Sequence, residues 1–251
     1  QELTDAEMLK FAQWTNLSET TFVLPPNHAA ADYAVRIFTP RTELPFAGHP
    51  TLGTCHAWLE SGGVPRSATE AVQECGVGLV RVRLGQHLAF AAPPTIRSGA
   101  VDPVDLERVL ARLGLRDDDV VAHNWVDNGP GWIGLLLRDS EAVLSVDPDP
   151  LDDLYVGIIG PTPPGSEESF EVRAFFPSGG GTAEDPVTGS LNASLAQWFV
   201  RDGIAEPPYR TRQGTAIGRS GVVTIDRSPK GEIWVGGATR TRITGTVDLS
   251  G

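Results

Sequence analysis

The amino-acid sequence predicts an α+β fold built from two similar halves. One order of elements (strand, loop, glycine turn, small-residue helix, strands) occurs twice along the 251 residues. Residues 46–51 and 184–190 share one sequence pattern, in which a glycine and a polar side chain precede or begin a predicted helix. Between them, the proline-containing polar stretch 93–102 predicts a boundary, with halves at residues 1–97 and 98–251.

Local patterns predict the elements of the first half in order. Thr4 and Glu7 have the spacing of a capping box, so a helix of about ten residues begins there. A small-residue run after Pro50 predicts a second helix that ends near Gly62. Runs of β-branched and aromatic residues predict strands. The strands are expected at 20–24, 32–38, 70–74, 78–84 and 87–91, and the second helix at 50–60.

The second half follows from similar signals. Asp102 and Pro103 predict the start of a helix that Gly114 ends, and the Asn-Gly-Pro-Gly turn at 128–131 predicts a hairpin. Further helices are expected at 148–154 and 190–201, and strands at 120–126, 132–137, 155–159, 170–176, 221–225, 232–235 and 242–247. We expect the last of these strands to pack back on the first half.

Composition narrows the classes of partner. A net charge of −12 argues against nucleic acid or an anionic membrane as the main partner, although it leaves a small acidic ligand open. No stretch approaches the roughly 20 apolar residues of a membrane span, and no secretory signal pattern is present. The two cysteines, Cys55 and Cys75, lack the spacing of a zinc site or a disulfide framework, which favours a cytoplasmic protein.

The two special segments predict a pair of anion-binding helix starts. A helix start presents unpaired backbone N–H groups and a partial positive charge, which suit a carboxylate or an enolate-like oxygen. Gly48 and His49 mark the first start, and Gly189 and Ser190 mark the second. Ser190 is expected at the N-cap, where it would hold an anion. No Gly-x-Ser-x-Gly sequence surrounds Ser190, so we do not expect an activated nucleophile.

Three side chains could carry proton chemistry, and each has a structural alternative. Glu19 follows a helix end and precedes an apolar strand, where partial desolvation suits a general acid or base; the alternative is a solvated turn residue. His49 could relay a proton or bind a substrate oxygen, or it could serve the helix start. Asp185 lies beside Glu184 before Pro186, either in a site that tolerates two like charges or in an ordinary turn. The histidines show no metal-ligand spacing, so no metal is expected.

Taken together, these segments resemble the PhzF family of phenazine-biosynthesis-like proteins, relatives of diaminopimelate epimerase. The motifs that carry the resemblance lie in family order over nearly the whole chain: NLSETTFV at 16–23, RIFTP at 36–40, ELPFAGHPTLG at 43–53, EDPVTGS at 184–190 and GGATR at 236–240. The resemblance implies two halves, each a mixed sheet rolled around a central helix, with the site in the cleft between them. It also implies a cofactor-free isomerase, usually a homodimer, that acts on a small carboxylate.

The resemblance also implies roles for individual residues. Glu19 matches the glutamate that moves a proton on a dihydro-hydroxyanthranilate. The groups implied to assist it and to bind the carboxylate are His49, Asp185, Ser190 and the backbone near Gly48 and Gly189. Family members begin with a further strand ahead of the first helix, so we expect that the first half lacks a strand that lies upstream.

Three functions from different classes remain open at this point. The first is a cofactor-independent isomerase that transfers a proton on a small carboxylated cyclic or unsaturated metabolite. The second is a non-catalytic ligand-binding or protein-interaction member of the same fold. The third is a thiol racemase, which is disfavoured because the epimerase relatives use a cysteine at each helix start and this chain has none there.

Overall fold

The computed structural model describes residues 3–248, which fold into two compact units. Unit 1 runs to residue 90 and also takes in the residues from 238 onward, and unit 2 is 91–237. The predicted halves, 1–97 and 98–251, stay a prediction, and their ends at residues 1–2 and 249–251 lie outside the described residues. None of the helices in the described part has the length and apolar character that a membrane-spanning segment needs.

Unit 1 is a mixed sheet with helices. Its elements in the described residues are α1 (Asp5–Thr15), β1 (Thr20–Leu24), β2 (Tyr33–Phe38), β3 (Glu43–Leu44), α2 (Gly48–Glu60), β4 (Glu70–Cys75), β5 (Gly78–Arg83) and β6 (Leu88–Ala91). The strands follow the order β1-β2-β4-β5-β6, and β3 pairs with β2. The β2–β4 pair is parallel while its neighbours are antiparallel, so α2 serves as the crossover that a parallel pair requires.

Unit 2 repeats this plan and extends it. Its elements are β7 (Arg97–Gly99), α3 (Pro103–Leu113), β8 (Val120–Asp127), β9 (Trp132–Leu137), α4 (Ser140–Ser145), β10 (Tyr155–Pro161), β11 (Phe170–Ser178), β12 (Gly181–Asp185), α5 (Gly189–Arg201), β13 (Tyr209–Gln213), β14 (Gly221–Arg227) and β15 (Ile233–Gly237). The strands follow the order β15-β14-β13-β11-β10-β9-β8-β7, and β12 pairs with β11.

The same module is therefore present in both units. In unit 1 it reads β1-β2-β3-α2-β4-β5-β6, and in unit 2 it reads β10-β11-β12-α5-β13-β14-β15. The pairing directions also agree, because β2–β4 and β11–β13 are both parallel whereas β1–β2 and β10–β11 are both antiparallel. The prediction of an α+β fold with a repeated half is confirmed.

Helix α5 is the buried centre of unit 2. Leu191, Leu195 and Trp198 belong to one hydrophobic cluster with Val172 on β11. Gly157 on β10 permits the close approach, because a Cβ there would lie 2.4 Å from Leu191 Cδ1. The small side chains of α2 fill the same place in unit 1, where Thr51, Thr54 and Cys55 are buried.

One predicted helix, at 148–154, is wrong. The helix in this region is α4, which lies upstream because Asp139 caps it by accepting a 2.7 Å hydrogen bond from the Ala142 N–H. Asp152, in the middle of the predicted helix, adopts a left-handed φ of 56°, which a right-handed helix cannot continue through. Leu151 is buried through packing of an irregular segment.

The predicted final strand at 242–247 is also wrong. Residues 238–248 contain no strand, and the last strand of the described chain is β15. The β-branched run is real, but its side chains point to solvent, and Ile243 is 92% exposed. A β-propensity without a buried face to cover does not make a strand. The short strands β3, β7, β12 and β13 were not predicted.

The contact of Gly160 with the start of α4 gives a test of the packing. A Cβ at Gly160 would lie 2.4 Å from the carbonyl oxygen of Asp139, and this is backbone that cannot turn aside. We expect Gly160→Ala to lower the free energy of unfolding by about 2 kcal/mol or more. The control is Gly53→Ala on the exposed side of α2, where a Cβ meets nothing and helix propensity predicts a gain of up to about 1 kcal/mol. Urea titration by circular dichroism measures both, and equal midpoints would contradict the packing.

Candidate active site

Glu19 lies in the short loop that joins α1 to β1. Helix α1 starts with the predicted capping box and ends at Asn16, whose φ of 50° is left-handed. Asparagine adopts this conformation more readily than most residues, so the chain turns there. The hydroxyls of Thr15 and Thr20 lie 3.1 Å apart across the loop. This contact closes the loop that carries Glu19 next to the start of β1.

The structure brings Glu19 and His49 together within unit 1. Nε2 of His49 lies 2.8 Å from Oε2 of Glu19, and the Glu19 side chain is 16% exposed. This carboxylate oxygen is shielded from solvent and accepts no hydrogen bond with good geometry from the described residues. An under-satisfied, largely buried carboxylate beside an imidazole is a suitable pair for moving a proton.

Helix α2 begins earlier than predicted, at Gly48 and not at Pro50. A proline fits the third position as well as the first, because none of the first-turn N–H groups has an intrahelical partner. The N-cap, Ala47, has no side chain that could cap the helix. His49 is thereby the second residue of a helix start whose backbone is left for other acceptors.

A buried glutamine ties the start of α2 to the sheet. Nε2 of Gln73 on β4 donates a 3.0 Å hydrogen bond to Oγ1 of Thr51, and the Tyr33 hydroxyl donates to Oε1 of the same glutamine. Gln73 is fully buried. A second link runs from the Thr54 hydroxyl to Thr21 on β1, at 2.8 Å. These links hold α2 against the strand that follows Glu19.

Asp185 and Glu184 do not share a face, contrary to the predicted pair of repelling acids in a glycine-rich turn. They lie on strand β12, where successive side chains alternate. Glu184 forms a 2.7 Å ion pair with Arg173, and both of these side chains are nearly inaccessible. The prediction missed β12, whose residues carry no clear strand signal, and so it missed the separation.

Asp185 lies at the end of β12 just before α5. Its Oδ2 accepts a 2.6 Å hydrogen bond from the hydroxyl of Thr188, and its backbone oxygen accepts one of 2.9 Å from Nε2 of Gln213. The hydroxyl of Thr188 therefore orients the Asp185 carboxylate by donating a hydrogen bond to it.

Ser190 is the second residue of α5, and the N-cap is Thr188. The predicted N-cap was therefore wrong, because Gly189 already has helical geometry. Nε1 of Trp132 donates a 3.1 Å hydrogen bond to Oγ of Ser190. Since an indole N–H can only donate, the serine keeps its own proton for another acceptor. The Thr188 side chain makes no capping bond, so the start of α5 has no side-chain cap, like that of α2.

Each unit thus carries its own group of predicted residues. Unit 1 brings together Glu19, His49 and Gly48, and unit 2 brings together Asp185, Gly189 and Ser190. Their roles stay predictions. In residues 3–248, no group of three or more metal-ligating side chains that could hold an ion was found. Sequence reasoning missed Trp132 and Gln213, which are far in sequence from the helix start that they contact, and it gave Thr188, within the 184–190 segment, no role of its own.

A family model described as phenazine biosynthesis-like protein, PhzC-PhzF, matches residues 1–247. The chain belongs to the PhzC-PhzF family. Antisense-enhancing sequence 1 of Schizosaccharomyces pombe is 33% identical, covering 97% of this chain and 88% of that protein. The trans-2,3-dihydro-3-hydroxyanthranilate isomerase of Pseudomonas fluorescens is 32% identical, covering 87% of this chain and 78% of that enzyme.

A solved structure agrees with the fold of this family member. A phenazine biosynthesis protein of the PhzF family from Bacillus anthracis matches with a TM-score of 0.77 at 20% identity, covering 94% of this chain and 86% of that one. At 20% identity the match supports the fold alone. The family prediction is confirmed. Curated relatives that carry an activity in their names are isomerases, so the chain falls among the PhzF-like isomerases.

The two thiols of this PhzC-PhzF family member sit away from both helix starts. Cys55 is fully buried within α2, and Cys75 is partly buried on β4. Burial raises the pKa of both thiols, so both are held in the protonated, unreactive form at neutral pH.

Alkylation tests whether either cysteine thiol takes part in catalysis. We expect iodoacetamide at neutral pH to modify both cysteines at least about tenfold more slowly in the native protein than in urea, because the reactive thiolate is scarce and screened. Mass spectrometry of quenched samples gives the two rates. Fast modification of Cys55 in the native protein, with loss of activity, would restore the thiol racemase hypothesis.

Proposed function

We propose that this PhzC-PhzF family member is a cofactor-independent isomerase that transfers a proton on a small carboxylated cyclic or unsaturated metabolite. The observation that carries the proposal is the Glu19–His49 pair, a shielded carboxylate oxygen 2.8 Å from an imidazole at a helix start. The isomerase relatives support the reaction class. We also propose that the protein is cytoplasmic and forms a homodimer.

Glu19 is the proton-transfer group in this proposal. A C–H bond next to a π-system or a carboxylate loses its proton only to a base held in place and relieved of solvent. Glu19 meets both conditions, since its loop is fixed and its side chain is mostly buried. After taking the proton from one carbon, the same carboxyl can return it to another carbon, which completes an isomerisation without a cofactor.

His49 and the helix starts stabilise the charge that develops. The imidazole next to Glu19 can donate to a substrate oxygen or hold the carboxylate while the proton moves. The first turn of α5 offers the Ser190 hydroxyl and the backbone N–H of Gly189 at the positive end of the helix dipole. Preorganised donors of this kind stabilise an anion without reorganisation during the reaction.

The names of the relatives and the donors at the start of α5 support one substrate class. The Pseudomonas fluorescens relative is named for trans-2,3-dihydro-3-hydroxyanthranilate, a cyclic carboxylate with activated C–H bonds. We propose a molecule of this type, with its carboxylate bound at helix starts such as that of α5. Asp185, oriented by Thr188, would accept a hydrogen bond from an amine or hydroxyl of the same molecule.

The Glu19→Gln variant tests the proposal. It keeps the size of the side chain but removes the base, so we expect turnover of trans-2,3-dihydro-3-hydroxyanthranilate to fall by about 10²–10⁴-fold with the melting temperature unchanged. Liquid chromatography of the product measures the rate. The matched control is Glu70→Gln, the same change at a surface carboxylate 3.9 Å from Arg81, which should leave turnover unaffected.

Two outcomes would count against the proposal. Full activity of Glu19→Gln would remove Glu19 from the mechanism. A wild-type protein that binds small carboxylates by calorimetry but converts none of them would favour the non-catalytic binding member instead.

A further inference from the structure

We propose that Gln213 is a positioning residue for Asp185. Through the hydroxyl of Thr188, it fixes the direction of the hydrogen bond that Asp185 receives, so that Oδ2 of Asp185 is held as an acceptor and the carboxyl keeps one orientation toward the substrate. The catalytic part of this inference rests on the proposed function, whereas its structural part concerns unit 2 alone.

The orientation of the Gln213 amide is fixed by the backbone. Gln213 is fully buried at the end of β13. Its Oε1 accepts a 3.1 Å hydrogen bond from the backbone N–H of Thr188, and its Nε2 donates one of 2.9 Å to the backbone oxygen of Asp185. A backbone N–H can only donate and a carbonyl can only accept, so rotating the amide would lose both bonds.

The fixed amide sets the polarity of the Thr188 hydroxyl. Nε2 of Gln213 also donates a 2.8 Å hydrogen bond to Oγ1 of Thr188. That hydroxyl must use a lone pair for this bond, and it has one proton to give. The proton goes to Oδ2 of Asp185, 2.6 Å away. The hydroxyl thus relays the direction set by the glutamine to the carboxylate.

Asp185 is consequently held as an acceptor. Its Oδ2 receives a short hydrogen bond from a donor that cannot turn round, so this oxygen can only accept. The bond also limits rotation of the carboxyl, which fixes the direction of Oδ1. In the proposed reaction, the Asp185 carboxyl therefore serves as a positioned hydrogen-bond acceptor for the substrate.

Further buried partners make the relay rigid. Nδ2 of Asn192 donates to Oε1 of Gln213 at 2.9 Å and to the backbone oxygen of Thr188 at the same distance. The Thr211 hydroxyl donates to Oδ1 of Asn192 at 2.6 Å. Polar networks with every member satisfied specify one arrangement of their side chains. The far end of this network, Thr211, makes no direct bond to Asp185, which makes it a useful control.

The matching glutamine of unit 1 shows what is particular to unit 2. Gln73 on β4 occupies the equivalent place, after the crossover helix and on the parallel partner of the preceding strand. Its Nε2 bonds to Oγ1 of Thr51, within α2 itself. Both glutamines anchor a helix, but the chain of bonds from Gln213 continues to a carboxylate. That extra step is the basis for assigning it a role beyond stability.

The Thr188→Val and Thr188→Ser pair tests the inference. Valine removes the relay hydroxyl in nearly the same volume, and serine restores it. With trans-2,3-dihydro-3-hydroxyanthranilate as the probe, we expect Thr188→Val to lower kcat by about tenfold or more with KM within about twofold, and Thr188→Ser to recover most of kcat. Gln213→Glu, which replaces the donor by an acceptor, should reproduce the kcat loss.

Thr211→Val is the matched control. It removes a buried hydroxyl from the same network, so its melting temperature should fall at least as much as that of Thr188→Val, while its kcat stays within about threefold of wild type. Equal loss of kcat in the two valine variants would reduce Gln213 and Thr188 to a structural role. Failure of Thr188→Ser to recover kcat would also overturn the inference.

Crystal structures of the variants test the positioning of Asp185 without a substrate. The Asp185 carboxylate should turn or occupy two conformers in Thr188→Val, and should keep its wild-type orientation in Thr188→Ser and Thr211→Val. If the wild-type protein does not convert the probe, the proposed function fails, and these structures still decide the positioning. An unchanged Asp185 in Thr188→Val would overturn it.

Discussion

A buried glutamine on a parallel strand fixes the place where the central helix of each unit begins. A parallel strand pair needs a crossover, and here the crossover helix starts in the interior, where polar groups must find partners. Gln73 donates to the Thr51 hydroxyl near the start of α2, and Gln213 bonds to the backbone of Thr188 and Asp185 just before α5. The positions of His49, Asp185 and Ser190 depend on these two anchors, because each of them lies within four residues of an anchored group.

Both helix starts break a local rule of helix stability. An N-cap side chain contributes about 1 kcal/mol by satisfying a first-turn N–H, yet Ala47 and Thr188 cap neither helix. The hydroxyl of Thr188 is directed to Asp185 instead. Departures from local preference of this kind are expected where function competes with stability. The uncapped N–H groups and the positive end of the dipole are then left for a ligand.

Much of the fold could be predicted because its signals are local. The capping box of Thr4 and Glu7, the glycine stops and the alternating strands placed most elements of the sheet within a few residues. The predicted helix at 148–154 and strand at 242–247 failed where tertiary context decided, since the backbone turns left-handed at Asp152 inside the first and the second has no face to bury.

The residues of the candidate site also fall into two groups, those that the sequence indicates and those that only the folded chain reveals. Glu19, His49, Asp185 and Ser190 were found through the glycine-led segments and the family resemblance. Trp132, Thr188 and Gln213 were not, because their importance comes from partners up to 58 residues away that meet only in the folded chain. The opposite faces of Glu184 and Asp185 were likewise invisible until β12 and its register were known.

The most direct measurement is a crystal structure of the protein with 3-hydroxyanthranilate, an unreactive aromatic analogue of the proposed substrate type. The central claim is that an uncapped helix start holds the carboxylate. It predicts that the ligand carboxylate lies within about 3 Å of Oγ of Ser190 and of a backbone N–H in the first turn of α5. A ligand whose carboxylate is held elsewhere, with the start of α5 left to solvent, would contradict it.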